Sequence, residues 1–149
     1  MENYYEDVYC CDGYKPLVDS PLHERILIGE HISGFQDIFR QILGGYGAPL
    51  TMVENGNDAV SYALKAYQED QGFHLTILDI HLPGLDGYNA TALLRDNEYP
   101  LPIVSFGGDG FYLEQIESEQ AGCNLHIARI GISSGLIKAL ELIDDILAK

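Results

Sequence analysis

From Arg25 onward, short apolar runs alternate with longer segments in which apolar residues recur every three or four positions. The short runs suit strands of a parallel sheet, which are buried on both faces and are therefore apolar along most of their length. Five such strands are predicted, at residues 26–30, 50–54, 74–79, 102–106 and 125–130. Strands that alternate with helices at this spacing predict right-handed crossovers and a parallel sheet.

Side-chain caps indicate where the first two helices begin. Ser33 followed by Gln36 forms a capping-box pattern for a helix over residues 33–43. Asn57 is placed to cap a second helix that extends to about residue 69. Apolar residues recur at helical spacing in both segments, which gives each helix one face that can pack on the sheet.

The last three helices are predicted from the same apolar spacing. The third contains residues 90–95, and the fourth follows Asp109, with Leu113 and Ile116 facing the core. The last helix has the clearest apolar stripe, formed by Leu136, Ile137, Leu140, Ile143 and Leu147. Together these elements predict a flavodoxin-like, doubly wound α/β fold: a five-stranded parallel sheet of order 2-1-3-4-5 with helices on both faces.

The segment 75–87 carries the strongest functional signal. Apolar residues lead to Asp79 at the end of the third strand, and Pro83 and Gly84 then turn the chain toward the next helix. In an open parallel sheet, ligands bind beyond the carboxyl ends of the strands. Asp79 is therefore a candidate functional carboxylate, and an ordinary acidic loop is the alternative interpretation.

Composition and charge narrow the class of protein. The 149 residues suit about one domain, and no apolar run approaches the ~20 residues that span a bilayer, so no membrane insertion is expected. A formal charge of −15 argues against nucleic-acid binding, because that affinity comes from neutralising phosphates. The same charge suits cations or basic partner surfaces. The acidic first residues lack the basic start of a secretory signal, which favours a cytoplasmic location.

Two regions are predicted along the chain. Residues 1–24 are acidic and tyrosine-rich without a clear period, which indicates an arm or a linker. Docking through the tyrosines is one interpretation of this segment, and a linker within a longer protein is the favoured one. Residues 25–149 are predicted to form the folded domain. The three cysteines make no recognisable disulfide or zinc framework.

The chain resembles the receiver domains of response regulators, the phosphorylatable modules of two-component signalling. The resemblance covers residues 26–147 and rests on five segments in matching order and spacing, at residues 26–31, 54–59, 75–87, 102–106 and 121–124. It implies that Asp79 is the phosphoacceptor, and that Glu30, Asp79 and the backbone carbonyl of His81 bind Mg²⁺. It also implies that Arg129 stabilises the phosphoryl group, with no enzyme activity beyond self-catalysed phosphotransfer to Asp79.

Several positions depart from the pattern of the family. His31 stands where the family has a second metal-binding acid, and Gly107 stands where it has a Thr or Ser at the end of strand four. Arg129 replaces a lysine and is not followed by proline. His126 occupies the aromatic switch position and is expected to be solvated. These departures predict weak or absent Mg²⁺ binding and are typical of an atypical or pseudo-receiver.

Two functions therefore remain open. One is a phosphoacceptor with impaired Mg²⁺-dependent phosphorylation, and the other is a phosphorylation-independent module for protein interaction. The resemblance implies a histidine kinase or a phosphotransfer protein as partner, and a homodimer through the face of helix four, strand five and helix five. His31 and His81, with the two carboxylates, also suit Zn²⁺ or another borderline metal, although solvated loop histidines are the favoured interpretation.

Overall fold

The structure is a computed structural model that describes residues 25–108 and 112–147. Its elements are β1 (Ile26–Gly29), α1 (Ser33–Gly45), β2 (Leu50–Val53), α2 (Gly56–Gln68), β3 (Leu75–Asp79), α3 (Gly87–Asp96), β4 (Ile103–Phe106), α4 (Tyr112–Ala121), β5 (Leu125–Ile127) and α5 (Ile132–Leu147). The arm at residues 1–24 and the predicted cap Asp109 lie outside the described residues. Within the described ranges, no helix combines the length and the apolar character needed to cross a membrane.

The five strands form one parallel sheet in the order β2-β1-β3-β4-β5, which confirms the predicted topology. Successive side chains of a strand point to opposite faces of the sheet. Ile26 and Ile28 of β1 therefore pack in one core cluster with α1 and α5, while Leu27 packs in a second cluster with α2 and α3. Helices cover both faces of the sheet, and this explains why its central strands are apolar along most of their length.

β5 ends earlier than the sequence predicts. The strand expected over residues 125–130 is wrong beyond Ile127, because Arg129–Gly131 form a 3-10 helix. β5 is an edge strand whose last residue pair with β4 is Phe106 with Ile127. Two further backbone bonds, from Gly107 to Ile127 at 2.9 Å and from Arg129 to Gly108 at 3.2 Å, lead into the 3-10 helix. The side chain of Ile130, which a buried strand would cover, is left 72% exposed.

The first two helices begin without the predicted caps. α1 begins at Ser33, but no side chain caps it, so the expected capping box is wrong. Gln36 instead donates its side-chain N–H to the carbonyl oxygen of Glu30 at 2.7 Å, which ties α1 to the residue that follows β1. α2 is capped by the side chain of Asn55 and not by Asn57.

The two last helices match the predicted apolar faces only in part. Leu113 of α4 is 63% exposed, so its predicted place in the core is wrong, and Ile116 is half-buried. Among the α4 residues whose burial the structure describes, the buried one is instead the polar Ser118. In α5, Leu136 and Leu140 are buried and Ile137 is half-buried as expected. The side chains of Ile143 and Leu147 lie outside the described part of the chain.

The start of α2 lies against the loop that follows β3. Gly56 donates its N–H to the carbonyl oxygen of Pro83 at 3.1 Å, and a Cβ atom on Gly56 would overlap the carbonyl oxygen of Leu85. Only a residue without a side chain permits this approach of two backbones. The contact holds the loop after Asp79 against the sheet edge.

We expect Gly56→Ala to lower the free energy of unfolding by about 2 kcal/mol or more, because the new methyl group meets backbone that cannot rotate away. Gly34→Ala in α1 is the matched control, since no atom lies within 4 Å of the added methyl group. That control should stabilise the protein by about 0.5 kcal/mol. Urea unfolding followed by circular dichroism measures both, and equal effects would contradict the close approach.

Candidate functional site

Asp79 is the last residue of the central strand β3. Its side chain is nearly covered, with the residue 3% exposed, although carboxylates are seldom buried without partners. The Oδ1 atom accepts the backbone N–H of His81 at 2.8 Å, which fixes the orientation of the carboxylate. The Oδ2 atom lies 3.8 Å from Nδ1 of His31. One oxygen is thus held by the loop, while the other faces the neighbouring strand end.

Glu30 follows β1 and is fully buried beside Asp79. Its Oε1 atom accepts the backbone N–H of Ile32 at 3.0 Å, while Oε2 has no hydrogen-bond partner in the described residues. Burial, together with the negative charge of Asp79, raises the pKa of Glu30 from 4.5 to about 8, although the N–H of Ile32 offsets part of the rise. Without a cation, Glu30 is therefore mostly protonated at neutral pH.

His31 lies between the two carboxylates. Its Nδ1 atom is 3.7 Å from Oε1 of Glu30 and 3.8 Å from Oδ2 of Asp79, and its side chain is 35% exposed. One ligand atom from each of these three residues falls within 4.8 Å of the other two, so the set can hold a metal ion. The exposed imidazole of His81 is not part of this cluster, so the predicted set with two imidazoles does not form among the described residues.

Gly107 lies directly beside Asp79. A Cβ atom on Gly107 would be 3.4 Å from Oδ1 of Asp79 and 3.1 Å from the side chain of Ile80. The φ angle of Gly107 is +129°, a backbone conformation that residues with a side chain rarely adopt. Ser105, two residues earlier, is fully buried and bonds elsewhere, so no hydroxyl from β4 reaches Asp79.

Arg129 lies away from the carboxylates. Its guanidinium carbon sits 5.7 Å from the centre of the Phe35 ring, in a cation–π contact, and the residue is exposed. No ion pair joins Arg129 to Glu30 or Asp79 in the part of the chain that the structure describes. The described residues contain no cis peptide bond, so the segment after β5 continues in the trans form.

His126 belongs to a buried polar network that the sequence did not predict. Its side chain is 3% exposed, which makes the expectation of a solvated histidine wrong. Nδ1 lies 2.7 Å from Oγ of Ser105, which is also 2.7 Å from Oγ of Ser118, and Nε2 lies 3.7 Å from Oε2 of Glu114. Burial lowers the pKa of His126 and Glu114 offsets part of that effect. The signal in the sequence was Ser105, a polar residue within an otherwise apolar strand.

Glu30→Gln should raise the free energy of unfolding of the metal-free protein at pH 7 by at least about 1 kcal/mol, because it removes a buried carboxyl group whose charged form is disfavoured by burial and by the charge of Asp79. The pKa of Glu30 is raised on folding, so its contribution to stability is full below pH 4.5 and is lost as the pH rises through about 8. The advantage of Gln over Glu should therefore grow across that range.

Urea titrations from pH 5 to pH 8.5 measure this difference. Glu54→Gln is the matched control, because Glu54 follows β2 at the same edge of the sheet but is exposed. The control should change stability by less than about 0.5 kcal/mol at every pH. If the stability advantage of Glu30→Gln instead shrinks as the pH rises, folding does not raise the pKa of Glu30.

The chain is similar to known proteins over most of the residues from β1 to α5. A family model described as the response regulator receiver domain matches residues 26–141. The transcription factor SKN7 of Saccharomyces cerevisiae is 32% identical over 89 residues, which is 60% of this chain and 14% of that protein. The curated relatives that the chain matches first are covered over only 12 to 14% of their own length.

Two solved structures resemble the fold closely. The receiver domain of the sensor histidine kinase PA1611 from Pseudomonas aeruginosa, with a magnesium ion in its active-site cleft, is 28% identical, with a TM-score of 0.68 over 80% of this chain and 96% of that one. The receiver domain of the Saccharomyces cerevisiae response regulator Ssk1, solved with the histidine phosphotransfer protein Ypd1, is 22% identical, with a TM-score of 0.65 over 78% of this chain and 92% of that one.

Proposed function

This chain belongs to the response regulator receiver domain family, and on that premise we propose that Asp79 is its phosphoacceptor in a two-component phosphorelay. The observation that carries the proposal is the orientation of the Asp79 carboxylate at the end of the central strand. The N–H of His81 holds Oδ1, and Oδ2 faces Glu30 and His31. A carboxylate held in this way presents one oxygen for attack.

The proposed transfer moves a phosphoryl group from a phosphohistidine to Asp79. One oxygen of the Asp79 carboxylate forms the bond to phosphorus while the bond from phosphorus to the donor nitrogen breaks. Two buried carboxylates already occupy the site, so the charge on the phosphoryl oxygens needs a cationic partner. Arg129 supplies this charge after its guanidinium leaves the ring of Phe35, where it lies in the resting protein.

Mg²⁺ supplies further neutralisation in receiver domains that bind it, and it prefers oxygen ligands in near-octahedral geometry. Glu30 and Asp79 offer carboxylate oxygens and His81 a backbone carbonyl, whereas His31 brings a nitrogen atom 3.7 to 3.8 Å from the carboxylates. This donor set fits Mg²⁺ poorly. We therefore expect weak or absent Mg²⁺ binding, and phosphorylation that is slow for that reason.

A histidine kinase or a phosphotransfer protein is the proposed partner, and a cytoplasmic location is proposed for this chain. The Ssk1 receiver domain, which this chain resembles in fold, was solved with a histidine phosphotransfer protein. Exposed apolar side chains, Ile32 and Ile130, directly follow the site residues His31 and Arg129 and offer contact area for such a partner. The net charge of −15 on the whole chain argues against nucleic acid as a partner.

A second function, as a phosphorylation-independent interaction module, is favoured by two observations. Gly107 provides no hydroxyl beside Asp79, and His126 is already bonded to Ser105 inside the domain. A ligand shifts a conformational equilibrium only through contacts that differ between the two states. With those contacts missing, the face of α4, β5 and α5 keeps one conformation, and that face is the proposed surface for a homodimer or another partner.

Acetyl phosphate with low-millimolar Mg²⁺ should label the protein slowly at one site, which intact-mass spectrometry detects. Asp79→Asn should abolish the labelling, whereas the control Asp96→Asn, at the exposed end of α3, should leave it unchanged. His31→Asp should speed labelling about tenfold, since it adds an oxygen ligand for Mg²⁺. Labelling that survives Asp79→Asn would contradict the phosphoacceptor assignment, and fast labelling of the parent would contradict the impaired site.

Beryllofluoride separates the two functions. We expect it to shift amide resonances around Asp79 while leaving those of α4 and β5 nearly unchanged, because the hydroxyl contact that would couple the two regions is missing at Gly107. Nuclear magnetic resonance spectra of the parent with and without beryllofluoride measure this. Large shifts that extend from Asp79 to His126 would establish a working phospho-switch and reject the interaction-module hypothesis.

A further inference from the structure

We propose that Glu30, His31 and Asp79 form a site for a borderline divalent metal of the kind that imidazole favours, with Zn²⁺ as the representative ion, in preference to Mg²⁺. The inference deepens the proposed function, since it names the metal for the same site. It rests on the mixed donor set, on the spacing of the three ligand atoms and on the buried oxygen of Glu30 that has no hydrogen-bond partner in the described residues.

The spacing of the donors suits a small ion. Two ligands at about 2.1 Å from a tetrahedral metal lie about 3.4 Å apart. The Nδ1 atom of His31 is 3.7 Å from Oε1 of Glu30, the oxygen that also accepts the N–H of Ile32, and 3.8 Å from Oδ2 of Asp79. Movements of a few tenths of an ångström bring His31 to the spacing of metal ligands with each carboxylate, and one ligand atom from each of the three residues lies within 4.8 Å of the other two. The side chain of His31 is 35% exposed, which leaves room for a water or a phosphoryl oxygen as fourth ligand.

Each carboxylate has one oxygen that accepts a backbone N–H and a second oxygen that is left for a metal. Oε2 of Glu30 is buried without a hydrogen-bond partner in the described residues, which is a costly arrangement unless a cation or proton compensates it. Oδ1 of Asp79 is occupied by the N–H of His81, so Oδ2 is the oxygen that faces His31. As metal ligands, two carboxylates and a neutral imidazole together carry a charge of −2, which balances one divalent ion.

The backbone holds His31 in place before any metal arrives. The residues on either side of it are fixed, since Glu30 donates its N–H to the carbonyl of Val53 at 2.9 Å and Ile32 donates to Oε1 of Glu30 at 3.0 Å. A ligand between two such anchors loses little freedom on binding, which favours affinity.

The chemistry of the donors decides between the metals. Imidazole nitrogen suits Zn²⁺, Ni²⁺ and Cu²⁺, whereas Mg²⁺ prefers oxygen and gives up its water reluctantly. A carboxylate at the position of His31 would give the site one more oxygen ligand and one more negative charge. The imidazole of His31 provides neither, so it attracts Mg²⁺ less strongly but remains a good ligand for a borderline ion.

Metal binding without any phosphodonor tests the proposal. Zn²⁺ affinity is measured by competition with a chromophoric chelator, and Mg²⁺ affinity by calorimetry, on the full chain. His31→Ala should weaken Zn²⁺ binding at least about tenfold, and His31→Asp should strengthen Mg²⁺ binding by a similar factor. His81→Ala is the matched control, because this exposed imidazole is close in sequence but outside the cluster, and it should change neither affinity more than about twofold.

A spectrum of the unmutated protein keeps the test independent of folding defects. Zn²⁺ should shift the imidazole nitrogen resonances of His31. The imidazole resonances of His81 should change only slightly. Unshifted His31 resonances, or Zn²⁺ affinity that is equal in the parent and in His31→Ala, would overturn the proposal. If Zn²⁺ binds through His31 but acetyl phosphate never labels the protein, the phosphoacceptor function is rejected and the metal site stands. If acetyl phosphate labels the protein but His31 does not bind Zn²⁺, the metal site is rejected and the phosphoacceptor function stands.

Discussion

Two buried carboxylates held side by side are the constraint on which the rest of this site depends. β1 and β3 are neighbours in the sheet, with Gly29 paired to Leu78, so the residues that follow each pair, Glu30 and Asp79, meet at one edge. Both carboxylates are removed from water, and their ligand oxygens lie within 4.8 Å of each other. Two negative charges this close repel strongly where the dielectric constant is low. The site therefore takes up a proton or a cation, and the N–H groups of Ile32 and His81 stabilise what charge remains.

A second buried polar system links α4 to the sheet. Ser105 of β4 bonds both His126 of β5 and Ser118 of α4. The carboxylate of Glu114 lies against Gly108, which follows β4. A Cβ atom on Gly108 would overlap that carboxylate. Buried polar groups with defined partners favour one arrangement over others, so this network holds α4 in place beside the turn that begins at Gly107.

The fold and the principal acids were predictable from the sequence for a simple reason. Strands buried on both faces are apolar, so local patterns identify the strands and their order along the chain. Parallel strands end at the same edge of the sheet, so the acids that follow them are expected at that edge. The side-chain placements were less predictable, because contacts distant in sequence decide them. Arg129 lies on Phe35, and His126 turns inward to Ser105, through partners 94 and 21 residues away that no local pattern identifies. The caps failed similarly, since Gln36 bonds Glu30.

The turn at Gly107 also bears on which sequences can be reached from this one in evolution. A hydroxyl beside Asp79 requires a side chain at position 107, but φ is +129° there and +73° at Gly108, conformations that residues with a side chain rarely adopt. Thr at position 107 alone would carry strain of about 1–3 kcal/mol unless the backbone after β4 also changed. Placing a hydroxyl beside Asp79 is thus a change of backbone as well as of side chain, and a single substitution does not accomplish it without that strain.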